Sequence, residues 1–241
     1  MSALFGCEQL AVGYGTITVA RNITLSVERR EVLAVLGPNG AGKTSMILTL
    51  AGLLPPIAGT ITLRGEQVKG GSARRLNRAG VVLVPDSRAL FKAMTTRENL
   101  EIARRPHGMT IDEAFDTFSV LGARSKVRAG MLSGGEQQML ALARALVQGP
   151  AVLIVDEMSM GLAPMIVEQL MVKLREVANQ TEAAVILVEQ HVQLALEIAD
   201  QALVLVHGEV SLQGRADEIR AAPQRLEAAY LGTGAPQAQQ H

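Results

Sequence analysis

The sequence predicts an α/β fold with a mainly parallel sheet. Short β-rich runs alternate with longer helix-patterned stretches through most of the 241 residues, which is the order of elements in such folds. The clearest runs are apolar throughout, as strands are when helices cover both faces of a sheet. They lie at residues 32–36, 81–84, 152–156, 185–188 and 203–206.

Two regions depart from this alternation. The β-rich runs at 10–14, 23–27 and 60–63 predict a small antiparallel β-subdomain beside the main sheet. Between residues 97 and 148 there is no convincing strand, and helix-patterned segments are broken by glycines and Pro106. We therefore expect an inserted helical lobe in this part of the chain.

The whole chain, 1–241, is predicted to form a single domain, because its length lies at the upper end of what one core usually holds. Residues 1–84 and 149–232 are expected to form the core with its β-subdomain, and residues 85–148 the helical lobe. The pattern is helical from residue 216 with a break at Pro223. Residues 233–241 are polar and rich in Gly, Pro and Gln, so we expect a flexible tail.

Composition argues against several classes of protein. Apolar runs such as 151–155 and 183–188 are far shorter than the roughly 20 residues that cross a bilayer. Lys and Arg balance Asp and Glu at 23 each, and aromatic residues make up 2%, so nucleic-acid binding is not indicated. Cys7 is the single cysteine, and the sequence opens without a secretory leader pattern. We expect the protein on the cytoplasmic side, without an internal disulfide.

A phosphate-binding loop follows the apolar run at 32–36. The pattern G-x-x-x-x-G-K-[ST] occupies residues 37–44 and opens a helix-patterned run, which is the context that gives this motif its meaning. Glycines let backbone N–H groups converge on phosphates, Lys43 would reach the β- and γ-phosphates of ATP, and the Thr44 hydroxyl is placed for Mg²⁺. The predicted ATP contacts are Gly37, Pro38, Asn39, Gly40, Ala41, Gly42, Lys43, Thr44 and Ser45.

A second apolar run ends in two acids, Asp156 and Glu157. In a doubly wound sheet Asp156 would lie beside the phosphate-binding loop and hold Mg²⁺ through water, while Glu157 would act on the attacking water. Acids that merely cap a following helix are the alternative. Together the two motifs predict a P-loop NTPase with a RecA-like sheet, and a small-molecule kinase would satisfy them as well.

The segment Leu132-Ser133-Gly134-Gly135-Glu136 separates these possibilities. It precedes an apolar helix-patterned run at 139–146 and could be an ordinary helix start, with Ser133 and Glu136 forming a capping box. With the flanking motifs in order, however, the sequence resembles the ABC ATPase family, whose signature reads LSGGQ or LSGGE. In that family this loop faces the γ-phosphate bound to the opposite subunit, so the resemblance implies a head-to-tail dimer with ATP at its interface.

Other family elements match this sequence residue by residue. Tyr14 lies where the family places an aromatic residue that stacks on adenine, and an ordinary core or turn position is its alternative. The run Ser159, Met160, Gly161 and Leu162 matches the loop that crosses the dimer interface. Met158 replaces the proline that is common after the Glu.

Two positions depart from the general family pattern. Asp86 stands where the family usually has a glutamine that touches Mg²⁺, and a carboxylate can still do so. Gln190 occupies the position where the family has its switch histidine, and His191 is the next residue. Gln190 can donate a hydrogen bond to the γ-phosphate but cannot carry a proton, and His191 is the alternate switch residue if the loop shifts by one.

The second ATPase of branched-chain amino-acid importers is the subfamily that the sequence resembles in most detail. Its features include an acid at position 86, Gln at position 190, GEQQMLALARAL at 135–146 and AYLG at 229–232. The resemblance implies a homologous ATPase partner, two integral membrane permeases and an extracytoplasmic solute-binding protein, with this chain peripheral on the cytoplasmic face of the membrane. A homodimer and a heterodimer both stay open.

Three alternatives remain at this point. Close relatives serve urea and short amides, and this chain would never touch the solute. A non-transport cytosolic ABC ATPase is a second possibility, although two cassettes or coiled-coil insertions are absent here. A P-loop kinase is the third, and it leaves the 132–136 segment unexplained.

Overall fold

The computed structural model describes residues 3–68 and 71–232. The strands are β1 (Phe5–Tyr14), β2 (Ile17–Val27), β3 (Val32–Leu36), β4 (Ala58–Leu63), β5 (Glu66–Val68), β6 (Val81–Val84), β7 (Val152–Asp156), β8 (Ala184–Val188), β9 (Gln201–Val206) and β10 (Glu209–Arg215). They form two sheets, one of six strands in the order β10-β9-β3-β8-β7-β6 and one of four strands in the order β2-β1-β4-β5.

Helices connect and cover these strands. They are α1 (Lys43–Leu50), α2 (Ala73–Arg78), α3 (Thr96–Glu101), α4 (Ile111–Thr117), α5 (Ser119–Ala123), α6 (Gly134–Leu146), α7 (Pro164–Thr181), α8 (Val192–Ile198), α9 (Ala216–Ala221) and α10 (Pro223–Tyr230). The predicted break at Pro223 is confirmed, since Pro223 begins α10. The predicted tail, 233–241, lies outside the described residues.

The six-stranded sheet is parallel from β6 to β9, and β10 pairs antiparallel with β9. Every residue of β3, β7 and β8 is buried, which confirms that apolar runs mark strands covered on both faces. Side chains of β3 alternate between two cores: Val32, Ala34 and Leu36 pack on one face, Leu33 and Val35 on the other. The predicted fold class is confirmed.

The four-stranded sheet is antiparallel and confirms the predicted β-subdomain. Its first two strands are longer than the predicted runs at 10–14 and 23–27. Polar residues and irregular backbone hide the true extent of these strands, since Gln9 and Asn22 have positive φ angles of 45° and 54°. Strands β5 and β10 also escaped the sequence analysis, because both are short or edge strands that carry many exposed side chains.

The stretch 97–148 contains helices and no strand in the described residues, and its buried apolar side chains belong to one of the two cores. Three helices there begin with complete capping boxes, at Thr95, Thr110 and Ser133. The capping box predicted for Ser133 and Glu136 is therefore confirmed. Helix α6 packs its apolar face on β6 and lies in the same core as α7. The division into a core and a helical lobe at residues 85–148 stays a prediction.

In the described part of the chain, no helix combines the length and apolarity that a bilayer span requires.

The α6 core offers a direct test of packing. We expect Leu142→Ala, at a fully buried position, to lower the free energy of unfolding by about 2–5 kcal/mol, because it removes methyl groups and leaves a cavity. Met165→Ala, on a side chain that is 68% exposed, should change it by less than about 0.5 kcal/mol. Urea unfolding measures both, and equal effects would contradict the assigned packing.

Candidate active site

The carboxyl ends of three parallel neighbours, β7, β8 and β3, meet at one edge of the main sheet. The loop at 37–44 follows β3, Asp156 ends β7, and Gln190 comes two residues after β8. Ligands of open α/β sheets collect at this edge because loops diverge there and helix N-termini point into it. The phosphate-binding loop, Asp156 and Gln190 thus meet at this edge of the sheet.

Glycines shape the phosphate-binding loop. Gly37, Gly40 and Gly42 have positive φ angles of 143°, 80° and 101°, a backbone region that side chains rarely adopt. A Cβ on Gly37 would lie 2.0 Å from the backbone oxygen of Leu205, so the loop also passes tightly over β9. The loop ends at Lys43, the first residue of α1, whose free N–H groups and dipole favour an anion.

Lys43 is folded back into the loop that precedes it. Its Nζ donates hydrogen bonds to the backbone oxygens of Gly37 at 2.7 Å and Pro38 at 2.9 Å. Burial lowers the pKa of Lys43, and the carboxylates of Glu157 and Asp156 partly counter that shift. A buried ammonium ion with only two neutral acceptors is an electrostatically favourable position for phosphate oxygens. Thr44 is exposed beside it at the start of α1.

Asp156 is a buried acid with an unmet hydrogen-bonding capacity. Only 3% of the residue is exposed, and its Oδ1 accepts no hydrogen bond from the described residues. Burial, followed by the negative charges of Glu157 and Asp86, raises the pKa of Asp156 to about 7, while Lys43 opposes the shift. Asp86 is therefore close enough to Asp156 for their charges to interact, and its role in binding Mg²⁺ stays a prediction.

Glu157 and Gln190 are in direct contact. Gln190 Nε2 donates to Glu157 Oε1 at 2.9 Å and to Asn39 Oδ1 at 3.1 Å, so it joins the phosphate-binding loop to the acid. Glu157 has a φ of 43°, a strained conformation for a non-glycine residue, and its N–H is held by Val188 O at 2.9 Å. His191 is exposed at the start of α8 and makes no capping bond with its side chain. Gln190 is therefore the residue of the two for which the structure records a hydrogen bond to Glu157.

Tyr14 stands at the outer side of the loop. The residue is 52% exposed, and its hydroxyl accepts a long hydrogen bond of 3.5 Å from Ser45 Oγ in α1. An exposed aromatic face next to the phosphate-binding helix is available for stacking. Its role in binding adenine stays a prediction.

The segment 132–136 packs against Leu162 of the loop at 159–162 and against the first turn of α7. A Cβ on Gly134 would lie 3.3 Å from Leu162 Cδ2, and one on Gly135 would lie 2.9 Å from Ile166 Cγ2. Ser133 is exposed, and the hydrogen bond that its backbone N–H donates to the Glu136 carboxylate lowers the pKa of that acid. The structure therefore places the predicted signature and dimer-loop segments side by side on one surface.

Several side chains hold these segments together through contacts that no local sequence pattern marks. Arg88 Nε donates to Gln138 Oε1 at 2.9 Å and its Nη1 to Gln137 Oε1 at 3.2 Å, which ties the segment after Asp86 to helix α6. Arg144 in α6 lies 5.3 Å from the centre of the Phe91 ring. A single Arg in a loop or on a helix carries no periodic signal, so the partner could be found only from tertiary structure. Glu189 is a third residue of this kind, because its carboxylate accepts hydrogen bonds from Ser159 of the loop at 159–162.

Comparison with known proteins gives consistent results. Residues 20–160 match the family model described as ABC transporter. The chain is 34% identical over 230 residues to the high-affinity branched-chain amino acid transport ATP-binding protein BraG of Pseudomonas aeruginosa, covering 93% of this chain and 98% of BraG. It is 34% identical over 216 residues to the probable branched-chain amino acid transport ATP-binding protein LivF of Archaeoglobus fulgidus, covering 88% and 92% of the two chains.

Among solved structures, the ADP conformation of MJ1267, an ATP-binding cassette of an ABC transporter, superposes with a TM-score of 0.81 at 22% identity. The match covers 96% of this chain and 100% of that one, and it shows the fold. A family match over more than half of the sequence and near full-length relatives agree with the site geometry. This chain belongs to the ABC transporter family, as an ATPase subunit.

Proposed function

We propose that this chain binds and hydrolyses ATP to power an importer of branched-chain or other amino acids. The observation that carries the ATPase assignment is the contact of Gln190 with both Glu157 and the phosphate-binding loop, next to the buried Asp156 and Lys43. The solute class rests on what BraG and LivF are named for, since both match nearly the whole chain.

ATP binding follows from the loop at 37–44. Backbone N–H groups of the loop and of the N-terminus of α1 donate hydrogen bonds to the phosphates. Lys43 exchanges its two backbone acceptors for phosphate oxygens. Ser45 lies at the same helix start, and Tyr14 offers its exposed ring to the adenine. These interactions position the nucleotide with its terminal phosphate toward Asp156 and Glu157.

The residues at the sheet edge also fit a magnesium ion. The orphaned, buried Oδ1 of Asp156, the hydroxyl of Thr44 and the carboxylate of Asp86 are the hard oxygen ligands that Mg²⁺ prefers, directly or through water. When bound, the ion would neutralise charge on the phosphate oxygens. Ionised Asp156 is costly without a cation, so the residue is suited to gain a positive partner.

Hydrolysis depends on the orientation of Glu157. Gln190 donates a hydrogen bond to Glu157 Oε1. The other oxygen, Oε2, can then accept a hydrogen bond from the attacking water. Because an amide cannot take up a proton, Glu157 is the member of this pair that can. Gln190 instead orients the acid and can donate to the γ-phosphate. His191, which is exposed at the start of α8, is the alternate residue for that role.

A second subunit would complete the site. Ser133 and its glycines present N–H groups at the start of α6, and Ser133 faces solvent. Around this segment three methionines, Met131, Met160 and Met165, are 79%, 54% and 68% exposed. Exposed, adaptable apolar side chains beside an anion-binding segment favour a protein partner whose nucleotide it would contact.

The remaining assembly is proposed from the subfamily. The partner would be a copy of this chain or a homologous ATPase, and two membrane permeases would link the pair to an extracytoplasmic binding protein. The predicted helical lobe, 85–148, would carry movement from the site to the permeases on the cytoplasmic face, since Arg88 joins the Asp86 segment to α6.

Two variants test the ATPase assignment. We expect Lys43→Ala to weaken ATP binding about 10- to 100-fold, because it removes a buried charged donor to phosphate. Glu157→Gln should keep ATP binding, lower turnover by about 100-fold or more, and trap an ATP-bound dimer. Nucleotide titration, phosphate release and light scattering measure the three effects. A wild-type protein that fails to bind ATP would overturn the proposal.

A matched pair of neighbours tests the switch position. Gln190→Ala should lower kcat about 10-fold, because Glu157 loses the donor that orients it. His191→Ala should leave kcat within about twofold, since it is Gln190 that donates a hydrogen bond to Glu157. Steady-state ATPase assays decide, and the reverse ranking would assign the switch to His191.

Asp156 gives a pH-dependent prediction. Its folded pKa of about 7 lies above the ordinary 3.8, so the native protein binds a proton that the unfolded chain releases. Stability of the nucleotide-free protein therefore falls as pH rises from about 4 to about 7. Asp156→Asn should raise the unfolding temperature in EDTA by a few degrees, more at pH 8 than at pH 5, while abolishing Mg-ATP turnover. An equal shift at both pH values would contradict the burial of a charged Asp156.

A further inference from the structure

Glu189 is a fully buried acid that the mechanism above does not use. It follows β8 directly, and none of its surface is exposed. Its Oε1 accepts a hydrogen bond from Ser159 N at 3.0 Å, and its Oε2 accepts from Ser159 Oγ at 2.5 Å and from Gln190 N at 3.2 Å. Ser159 is itself only 4% exposed, so this contact is shielded from water.

The contact joins two loops that both belong to the site. Strands β7 and β8 pair up to Asp156 and Val188, and beyond that point the chains separate into the loop at 157–162 and the segment at 189–191. Two links continue the pairing past the sheet. Gln190 holds Glu157 through its side chain, and Glu189 holds Ser159.

A carboxylate at position 189 accepts three hydrogen bonds in the interior, and its chemistry indicates what the contact is for. Burying an acid held only by neutral donors costs free energy, and a well-packed apolar pair would close the two loops at lower cost. A carboxylate has two oxygens that accept only, so it can take the Ser159 N–H, the Ser159 O–H and the Gln190 N–H at once. An amide cannot accept all three. The geometry therefore favours a role that needs both loops fixed relative to each other.

We propose that Glu189 is a positioning residue that locks the loop at 159–162 to Gln190, so that the position of that loop sets the orientation of Gln190 and Glu157. The inference rests on the proposed function, in which this loop meets the second subunit. Met160 in the loop is 54% exposed and Leu162 packs beside Gly134, so a partner seated there would press on the loop. Through Ser159 and Glu189, that contact reaches the pair that acts on water.

Two variants loosen the lock from opposite sides. Glu189→Gln keeps the shape of the side chain but replaces one acceptor oxygen with an NH₂ group, so at least one of the three bonds is lost. Ser159→Ala removes the hydroxyl bond and keeps the N–H bond. We expect each to lower kcat about 5- to 20-fold while KM for ATP stays within about twofold, because the phosphate-binding loop is untouched.

The double variant separates positioning from independent damage. If both residues act through one contact, Glu189→Gln with Ser159→Ala should be about as slow as the slower single variant, not slower by the product of the two effects. Glu197→Gln is the matched control, because Glu197 lies on α8 eight residues further on and is exposed. It makes the same change of charge and should leave kcat unaltered.

The assay is ATP turnover of the purified protein, at a temperature where circular dichroism shows every variant folded. A merely structural role predicts a lower unfolding temperature with kcat of the folded protein unchanged, and that result would overturn the proposal. So would multiplicative effects in the double variant. If Glu189→Gln does not fold, the kcat and KM of Ser159→Ala decide alone. Wild-type protein without ATPase activity, alone or with its partner subunit, would instead refute the proposed function on which the inference rests.

Discussion

The parallel pairing of β7, β8 and β3 is the constraint on which the rest of this structure depends. Because each of these strands is buried on both faces, a shift of one residue would turn every side chain to the opposite core. The register is therefore fixed, and with it the positions at which the three strands release their loops. Core packing therefore brings Gln190 to Asn39 of the phosphate-binding loop, and it brings Asp156 and Glu157 close enough to Lys43 for their charges to interact.

Electrostatics at that edge are unfavourable until ligands arrive. Asp86, Asp156, Glu157 and Glu189 bring acids to one end of the sheet, and Lys43 is the cation placed among them. Burial raises the pKa of Glu189, whereas bonds from Ser159 and Gln190 lower it. A site of this kind gives up stability in the free protein for affinity toward a cation and a phosphate chain, which is a common arrangement at functional positions.

Sequence patterns predicted those parts of the molecule that depend on local chemistry. The buried strands, the glycines at 37, 40 and 42, and the capping box at Ser133 each have a signal within a few residues, and the structure contains them. The edge strand β10 lacks a continuous apolar run, so it was missed. Pairs such as Arg88 with Gln138, or Glu189 with Ser159, bring together residues 50 and 30 positions apart, which no local pattern encodes. The choice between Gln190 and His191 as the switch residue depends on one residue of loop register, which no local pattern encodes.

The resting position of Lys43 bears on which nucleotides this protein can distinguish. The ammonium group already has two carbonyl partners, so an incoming phosphate replaces neutral acceptors and gains only the difference between a full charge and a dipole. A nucleoside has no ionised oxygen to offer Lys43, so it would make an almost even exchange. The two carbonyl acceptors of Lys43 therefore set a minimum that a ligand must exceed, and an ionised phosphate exceeds it whatever base the ligand carries.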